Sequence, residues 1–511
     1  MALDFYDLYC EEVEKNESLE KKYSKLQKLY KSEETKNKYL IEHMEDMIEK
    51  ENGEMIKSLE TEIVDLKNEV ARLKGLLNND STNSGISTSK TPINKNKRIP
   101  NSRKKSNKKK GAQVGHKKNK LSRFEDDEIT EIVEHKKEVC SLCSSEMVPT
   151  GKVIYKDEFE FKIVLKKIRH AFIETKCVKC GNVEMISIPV RLKEENQYGS
   201  NVQALALTMM NQGFVSMNRT REIISGLTNN EINLSEGYIS KLQKRLAKSL
   251  ESFIQELKLE IIKLKVLHWD DTVISISTNR ACLRFYGDEK LSLYTAHAKK
   301  DKIGLDEDNI LKSLDKETVV VHDHNMVNYN DDYEFLNAEC CAHVLRDLKK
   351  IVDNLGHKWA KDMVNLLISS NVDRNQGKKI DSVRISVEYD KILKSGIKEN
   401  NAEDNKYYVG DEKTLIRRLT KYKDNYLMWT VNEDIPFTNN ISERSLRDSK
   451  TKMKVSGQFD NLKSAEAFAI IKSYITTGRR NGMNPVDLIV RALEGNPVTV
   501  KEMKEHDANN N

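Results

Sequence analysis

Two aspartates and one glutamate stand where the flanking residues predict strands and a helix. Asp270 interrupts a run of β-branched and other apolar residues at 265–277, and Asp323 ends a second apolar run at 318–322. Glu443 follows Asn439 and Asn440, residues that favour the start of a helix. A lone carboxylate is expensive to bury unless it is paired or bound to a cation. This set therefore predicts a divalent-metal site suited to phosphodiester chemistry.

The segments around these acids predict a mixed sheet. Strand-like runs at 280–286 and 291–297 follow the Asp270 strand, with a turn from Gly287 between them. A helix is expected at 308–314, before the Asp323 strand. Three strands, a helix and another strand form the beginning of a ribonuclease-H-like core. The charged, mostly helical stretch at 349–421 is too long for a simple connection, which predicts a helical insertion.

The helix predicted after Glu443 is strongly basic. Next to a carboxylate, such a face suits a site that handles a phosphate backbone. Its basic residues are Arg444, Arg447, Lys450, Lys452 and Lys454.

Two Cys-x-x-Cys pairs lie between the N-terminal region and this core. Cys140 and Cys143 form the first pair, and Cys177 and Cys180 form the second, with strand-like runs at 158–165 and 169–174 between them. Four thiolates at the ends of hairpins predict one tetrahedral, structural Zn²⁺ site. The alternative is four unrelated reduced cysteines.

The N-terminal residues predict a coiled coil. Apolar residues alternate at spacings of three and four, with β-branched residues common at one seam position and leucine at the other, a pattern that favours a parallel dimer. The alternative is a helical hairpin within one chain, which folds back at Gly53. The seam consists of Ile56, Leu59, Ile63, Leu66, Val70, Leu73 and Leu77.

A basic segment and a group of helices predict DNA contacts. Residues 90–120 include many lysines and arginines but no acid, which predicts a disordered nucleic-acid-binding arm rather than a simple linker. Helices expected at 202–210, 219–227 and 236–250 resemble a helix-turn-helix, although a plain helical bundle remains open. The basic residues expected to contact DNA are Arg103, Lys104, Lys105, Lys108, Lys109 and Lys110 in the arm and Lys241, Lys244 and Arg245 in the third helix.

Length and composition limit the function classes. A chain of 511 residues is long enough for about three domains. Charged residues make up 32% of the chain, and no apolar run approaches the roughly 20 residues that a membrane helix needs. The N-terminus has no signal-peptide core, so we expect a cytoplasmic, nucleoid-associated bacterial protein without a membrane partner.

Several motifs together resemble the insertion-sequence-66 family of transposases over nearly the whole chain. They are GAQVGH at 111–116, HWDDT at 268–272, CCAH at 340–343 with Arg346, NNISERSLR at 439–447, and the C-terminal segments 465–480 and 481–485. The resemblance implies a ribonuclease-H-like core with a DDE triad formed by Asp270, Asp323 and Glu443.

The same resemblance implies how the other motif residues act. The family usually has Asp-Glu at the position of Asp270 and Asp271, and the motif match assigns the first carboxylate to Asp270. His268, Cys340, His343 and Arg346 are expected to support the active site rather than to bind metal.

The implied reaction is strand cleavage at the ends of an insertion sequence, followed by strand transfer into target DNA. The triad would hold two Mg²⁺ or Mn²⁺ ions. The expected partners are double-stranded DNA, a second copy held through the coiled coil or a higher oligomer, and accessory proteins encoded by the same element. A different ribonuclease-H-like nuclease, such as a resolvase, and a non-catalytic DNA-binding regulator remain open.

The sequence as a whole predicts a multidomain α+β protein. Its expected parts are a dimerising coiled coil (1–78), a basic disordered arm (79–125), a four-cysteine zinc-binding β unit (126–195), a helix-turn-helix-like helical DNA-binding domain (196–260), a ribonuclease-H-like α/β catalytic core (261–348 and 425–490) with a helical insertion (349–424), and a C-terminal tail (491–511).

Overall fold

The computed structural model describes residues 2–48, 53–77, 123–159, 163–192, 194–403 and 406–510. Most of the predicted basic arm, with all six of its named cations, and the 111–116 motif lie outside the described residues, as do the side chains of Ile56 and Leu77. Contacts divide the chain into two units. The first comprises Met1–Ser102, Ile188–Ile224 and Asn233–Asn511, and the second comprises Arg103–Ser187 and Ser225–Ile232. Among the described helices, none is long and apolar enough to cross a membrane.

The described residues form sixteen α-helices and seven strands. The helices are α1 (Ala2–Ile48), α2 (Gly53–Leu77), α3 (Ser200–Asn211), α4 (Met217–Leu227), α5 (Glu236–Ser249), α6 (Glu251–Ile261), α7 (Lys302–Asp308), α8 (Cys341–Leu355), α9 (Lys358–Asn375), α10 (Ser382–Ala402), α11 (Lys406–Lys421), α12 (Lys423–Val431), α13 (Asn440–Ser456), α14 (Leu462–Arg480), α15 (Pro485–Leu493) and α16 (Val500–Asn510). The strands are β1 (Thr175–Lys176), β2 (Val183–Glu184), β3 (Val266–Ile276), β4 (Asn279–Gly287), β5 (Ser292–His297), β6 (Val319–His322) and β7 (Leu336–Glu339).

Five strands of the first unit form a mixed sheet in the order β5-β4-β3-β6-β7. Strands β3, β4 and β5 pair antiparallel, whereas β6 pairs parallel to β3, and β7 parallel to β6. The strands predicted at 280–286 and 291–297 are confirmed, as is the turn from Gly287. A Cβ at Gly287 would lie 2.1 Å from the Leu291 carbonyl oxygen, so the close backbone approach requires glycine here.

Helices cover the sheet on both faces. One core packs α3, α5, α6, α14 and α15 against sheet residues that include Leu267, Leu293 and Val320. A second core packs the insertion helices α9–α12 and the preceding α8 against Val319 and Val321 on the other side of β6. The stretch at 349–421 is therefore mostly helical, as expected, and its helices pack on the strand that precedes Asp323; its assignment as an insertion stays a prediction.

The helix expected at 308–314 and the three helices expected before the core have different outcomes. The helix expected at 308–314 lies earlier, at Lys302–Asp308, because Asn309 adopts a left-handed conformation that ends it. Helices α3, α4 and α5 match the three expected before the core, and the Ser235 hydroxyl accepts a cap bond from the Tyr238 N–H. Since α3 and α5 share a core with the sheet, the helix-turn-helix stays a prediction.

The N-terminal helices pack within one chain. Helix α1 lies against α2, and α2 also contacts α8 and α11. Ile63 and Leu73, from the two predicted seam positions, are both buried in this arrangement. The structure therefore contains the intramolecular hairpin that the heptad pattern left open, and the coiled-coil dimer stays a prediction.

The second unit has less strand than its sequence suggested. Strands β1 and β2 pair antiparallel over two residues each. Residues 169–174 form no strand, so that prediction is wrong. The strand expected at 158–165 is also absent from residues 163–165, the part of its C-terminal end that the structure describes. Apolar residues there, such as Ile168 and Ile173, are exposed, so alternation alone did not create a buried sheet face.

Candidate active site

Asp270 projects from the middle of the sheet beside the second carboxylate. Its Oδ1 accepts a 2.7 Å hydrogen bond from the Asp271 backbone N–H. Burial and then repulsion from Asp323 raise the pKa of Asp270 to about 8. The second acid is therefore close enough to oppose the ionisation of Asp270.

A line of three contacts joins the second carboxylate to the third. Asp323 Oδ1 lies 2.9 Å from His343 Nδ1, and His343 Nε2 lies 3.0 Å from Arg346 Nη1. Arg346 Nη2 then donates to Glu443 Oε1 at 3.3 Å. Burial acts to lower the pKa of His343, but the Asp323 carboxylate outweighs it and the pKa is raised.

Asp323, Cys340 and His343 form the one group of at least three potential metal-ligating side chains found in the described residues. One ligand atom from each lies within 4.8 Å of the others. The Cys340 Sγ accepts a 3.1 Å hydrogen bond from the Asn439 N–H, and burial raises the pKa of this thiol. Because Mg²⁺ prefers oxygen ligands, Asp323 is the member of the group that suits this ion, and the protonated thiol suits a supporting position.

Asn439 connects α13, which carries Glu443, to β3, which carries Asp270, a role that the sequence did not reveal. Its Nδ2 donates to the Trp269 carbonyl oxygen at 2.9 Å, and its Oδ1 lies 2.9 Å from His268 Nδ1. Its Oδ1 also contacts the Ser442 hydroxyl. Asn439 is the N-cap residue of α13 as predicted, but its side chain makes no cap hydrogen bond, because the amide is used to hold β3.

The neighbouring Asp271 points away from this group. Cross-strand pairing sets Asp271 opposite Arg284 and sets Asp270 opposite Phe285, and successive side chains alternate between sheet faces. The Asp271 Oδ1 is held by Lys300 Nζ at 2.5 Å. His268 lies on the Asp270 face, buried, and burial lowers its pKa.

Most of the predicted basic residues on helices are exposed. Arg444 and Arg447 on α13 and Lys241, Lys244 and Arg245 on α5 all reach solvent. Lys452 does not, which corrects its assignment to the basic face of α13. Its side chain is buried over the Phe468 ring at 5.9 Å, and burial lowers its pKa.

The two cysteine pairs form matching turns in the second unit. The Cys140 N–H donates to the Ser145 carbonyl and the Cys177 N–H to the Asn182 carbonyl, at 2.8 and 2.7 Å. Ser144 and Gly181, each directly after the second cysteine, both have positive φ. Within the described residues, the structure does not bring three of these four thiols within metal-binding reach of one another. The four-thiolate zinc site therefore stays a prediction.

Hydrogen bonds lower the pKa of one thiol in each pair. For Cys143 they come first from Ser145, with a smaller contribution from the Cys140 thiol. For Cys177 they come first from the backbone of Cys180 and Lys179, with a smaller contribution from the Cys180 thiol. Both turns thus favour the thiolate, the form that binds metal.

This fold and site define a protein with converging acids on a mixed sheet, flanked by basic helices. The chain matches the family described as Transposase IS66 family over residues 195–467, more than half of its length. It therefore belongs to the IS66 family of transposases. A comparison with curated proteins gave no match. Family membership indicates a DNA-processing enzyme with a function in transposition.

Proposed function

We propose that this protein cleaves DNA at the ends of an insertion sequence and joins the freed ends to target DNA. Asp270, Asp323 and Glu443 form its DDE triad. The observation that carries this proposal is the convergence of the three acids, which come from β3, the end of β6 and the first turn of α13. The strand order and directions of the sheet support a ribonuclease-H-like core.

The acids fit divalent metal ions by charge and by ligand type. Arg346 is the cation that contacts Glu443, the His343 ring contacts Asp323, and Asp323 repels the charged form of Asp270. Oxygen ligands suit Mg²⁺ or Mn²⁺. Two such ions, when bound, would supply Lewis acidity to the phosphodiester and favour deprotonation of the attacking group.

The residues of the site would have distinct tasks. Asp270, Asp323 and Glu443 hold the cations. Arg346 orients the Glu443 carboxylate, and His343 lies between Arg346 and Asp323, so a shift of either acid is resisted by the other.

The reaction would consist of two displacements at phosphorus. In the first, a water oxygen bonds to phosphorus and its proton passes to solvent; the bond from phosphorus to the 3′ oxygen breaks, and the 3′ oxygen keeps the bonding electron pair and takes a proton from solvent, which gives a free 3′-hydroxyl. In the second, that 3′-hydroxyl loses its proton and bonds to a target phosphorus, and the target 3′ oxygen leaves. Neither step requires a covalent bond to the protein.

The remaining parts would bind DNA and organise the assembly. The basic arm with Arg103, Lys104, Lys105, Lys108, Lys109 and Lys110, the exposed cations of α5, and Arg444 and Arg447 on α13 would contact phosphates. Cys140, Cys143, Cys177 and Cys180 would bind one structural Zn²⁺, a proposal supported by the two matching turns and their lowered thiol pKa values. Self-association through the N-terminal helices and accessory proteins of the same element belong to the same proposal.

A cleavage assay on duplexes that carry the element's own terminal repeats tests the proposal. With Mg²⁺, wild type should nick at the repeat boundary, whereas Asp270→Ala, Asp323→Ala and Glu443→Gln should lose nicking but retain DNA binding. Asp271→Ala is the matched control, because it removes the adjacent carboxylate on the other sheet face. Full activity in any of the three triad variants would contradict the assignment.

Wild type that binds these duplexes without nicking them would call for a second reaction with the accessory proteins of the element. Nicking that appears only then would support the proposal. Continued absence of nicking would favour a DNA-binding regulator.

A further inference from the structure

Helices α10 and α11 of the helical insertion form a groove of about 370 Å³ that no predicted function uses. Its cations, Lys413, Arg417 and Lys421, are all on α11 at spacings of four residues. Helical neighbours at this spacing lie on one face, and about 1.5 Å of rise per residue gives a row of roughly 12 Å. The remaining lining residues are Ile397, Asn400, Asn401, Ile416 and Thr420.

Among the described residues that line this groove, the charges all have one sign. Its lining includes three cations and no acid. Among the described residues, none of the three cations forms an ion pair, whereas the neighbouring Arg418 is engaged by Asp347. A groove in which all charges have one sign attracts a polyanion and is selective for it.

The C-terminal end of the row reaches the active site through three side chains in contact. The Lys421 ammonium lies over the Tyr422 ring, 5.0 Å from its centroid. The Tyr422 ring packs against the His324 ring at 5.1 Å and the Tyr329 ring at 4.4 Å. His324 is the residue directly after Asp323, so packed rings connect the last cation of the row to the residue that follows one of the three acids.

His324 itself is held firmly. Its Nδ1 lies 2.6 Å from Glu339 Oε1, and the Tyr329 hydroxyl donates to the same oxygen at 2.6 Å. Glu339 is buried. The link between the groove and Asp323 is therefore a packed, hydrogen-bonded cluster rather than a loose surface contact.

We infer that the groove between α10 and α11 binds the phosphate backbone of the DNA segment that enters or leaves the active site on the Asp323 side. A length of roughly 12 Å covers three to four phosphates of one strand, at about 3.4 Å of helix axis each. This inference rests on the proposed function only for the identity of the DNA. The groove, its charge and its connection to Asp323 are independent of the catalytic assignment.

Salt-dependent binding tests the inference without catalysis. A fluorescent 30-bp duplex of arbitrary sequence is titrated with the full chain in buffer without Mg²⁺ or Mn²⁺ at several salt concentrations. The test protein carries Lys413→Gln, Arg417→Gln and Lys421→Gln. The matched control carries Lys361→Gln, Lys379→Gln and Lys391→Gln, which remove the same charge from exposed positions of the same insertion but outside the groove.

Three lost phosphate contacts should reduce the slope of log affinity against log salt by about 2.7 in the groove variant. The control variant should keep the wild-type slope. Equal slopes in the groove variant and the control would overturn the inference. A groove variant that loses self-association in sedimentation but keeps its slope would overturn it as well, and would assign the groove to an acidic protein surface.

Cleavage kinetics separate this inference from the proposed function. If both hold, the groove variant should have a raised KM for the duplex and an unchanged kcat, because its contacts bind substrate without taking part in the chemistry. If Glu443→Gln cleaves normally while the slope change persists, the triad assignment fails and the DNA groove stands.

Discussion

Replacing Asn439 tests whether one buried amide holds the active site together. Its side chain is fully buried, and it satisfies the Trp269 carbonyl and the His268 ring nitrogen on β3. Asn439→Ala would leave both groups without that partner in a buried place. Each unsatisfied buried group costs about 1–3 kcal/mol, so we expect the free energy of unfolding to fall by about 2–6 kcal/mol.

The activity of Asn439→Ala should fall by more than its loss of stability explains. Asn439 lies four residues before Glu443 and its amide holds the strand that carries Asp270, so its loss frees the two acids to separate. A displacement of about 1 Å can cost on the order of 10²-fold in rate. Cleavage of terminal-repeat duplexes should therefore fall by about that factor at a temperature where the variant is folded, and DNA affinity should be preserved.

Asn440→Ala is the matched control for this experiment. Asn440 is the next residue, has the same side chain and is exposed, so its truncation should change neither stability nor cleavage appreciably. Urea unfolding gives the free energies, and cleavage at saturating DNA gives the rates. If Asn439→Ala cleaves at the rate of Asn440→Ala, the amide does not position the acids and the reasoning is wrong.

Four further outcomes follow from other parts of the chain. Purified protein should contain about one Zn²⁺ per chain, measured by elemental analysis, and Cys177→Ser should lose it; metal-free wild type would contradict the four-thiolate site. Glu412→Leu should lower the free energy of unfolding by about 3–5 kcal/mol, because the buried carboxylate accepts hydrogen bonds from His357, Trp359 and Asn400 at 2.6–2.7 Å. In the pH dependence of unfolding, burial acts to lower the pKa of His357, but Glu412 and Glu403 outweigh it and raise the pKa. The stability that His357 adds over His357→Gln should therefore be complete below about pH 6.5 and decline as pH rises through the folded pKa; a difference that grows with pH would contradict this sign. Gly287→Ala should lower the free energy of unfolding by about 1–3 kcal/mol, because the new methyl group would contact the Leu291 carbonyl. Gly410→Ala on α11 should raise it by about 0.5–1 kcal/mol, because nothing lies within 4 Å of the new methyl group. Equal melting temperatures for the two variants would refute the steric argument.

The sequence predicted the acids better than the contacts that hold them. Asp270 and Asp323 were visible because an acid within or after an apolar run is costly, and that cost is a local property of the chain. Asn439 was predicted only as an N-cap, because its residue type and position fit one. Its actual partner is 170 residues away on β3, and no local pattern identifies a partner at that separation.

The heptad of α2 shows a different limit of prediction from sequence. The spacing of Ile63 and Leu73 establishes that one face of α2 must be buried, and the structure buries both residues. The same stripe satisfies a second chain, or α1 with α8 and α11, because apolar burial has no direction of its own. Periodicity therefore fixed which residues pack and left open what they pack against.

The negative charge of the proposed triad explains why the cations that attract DNA would lie on neighbouring helices. Three acids next to one arginine form an anionic site, which repels a phosphodiester until cations are bound. Attraction for DNA must then come from outside the triad. The α11 row leads away from the Asp323 side through Tyr422 and His324, and the exposed cations of α13 follow Glu443 along its own helix. DNA bound by these cations would be held near the acids, although the acids alone would repel it.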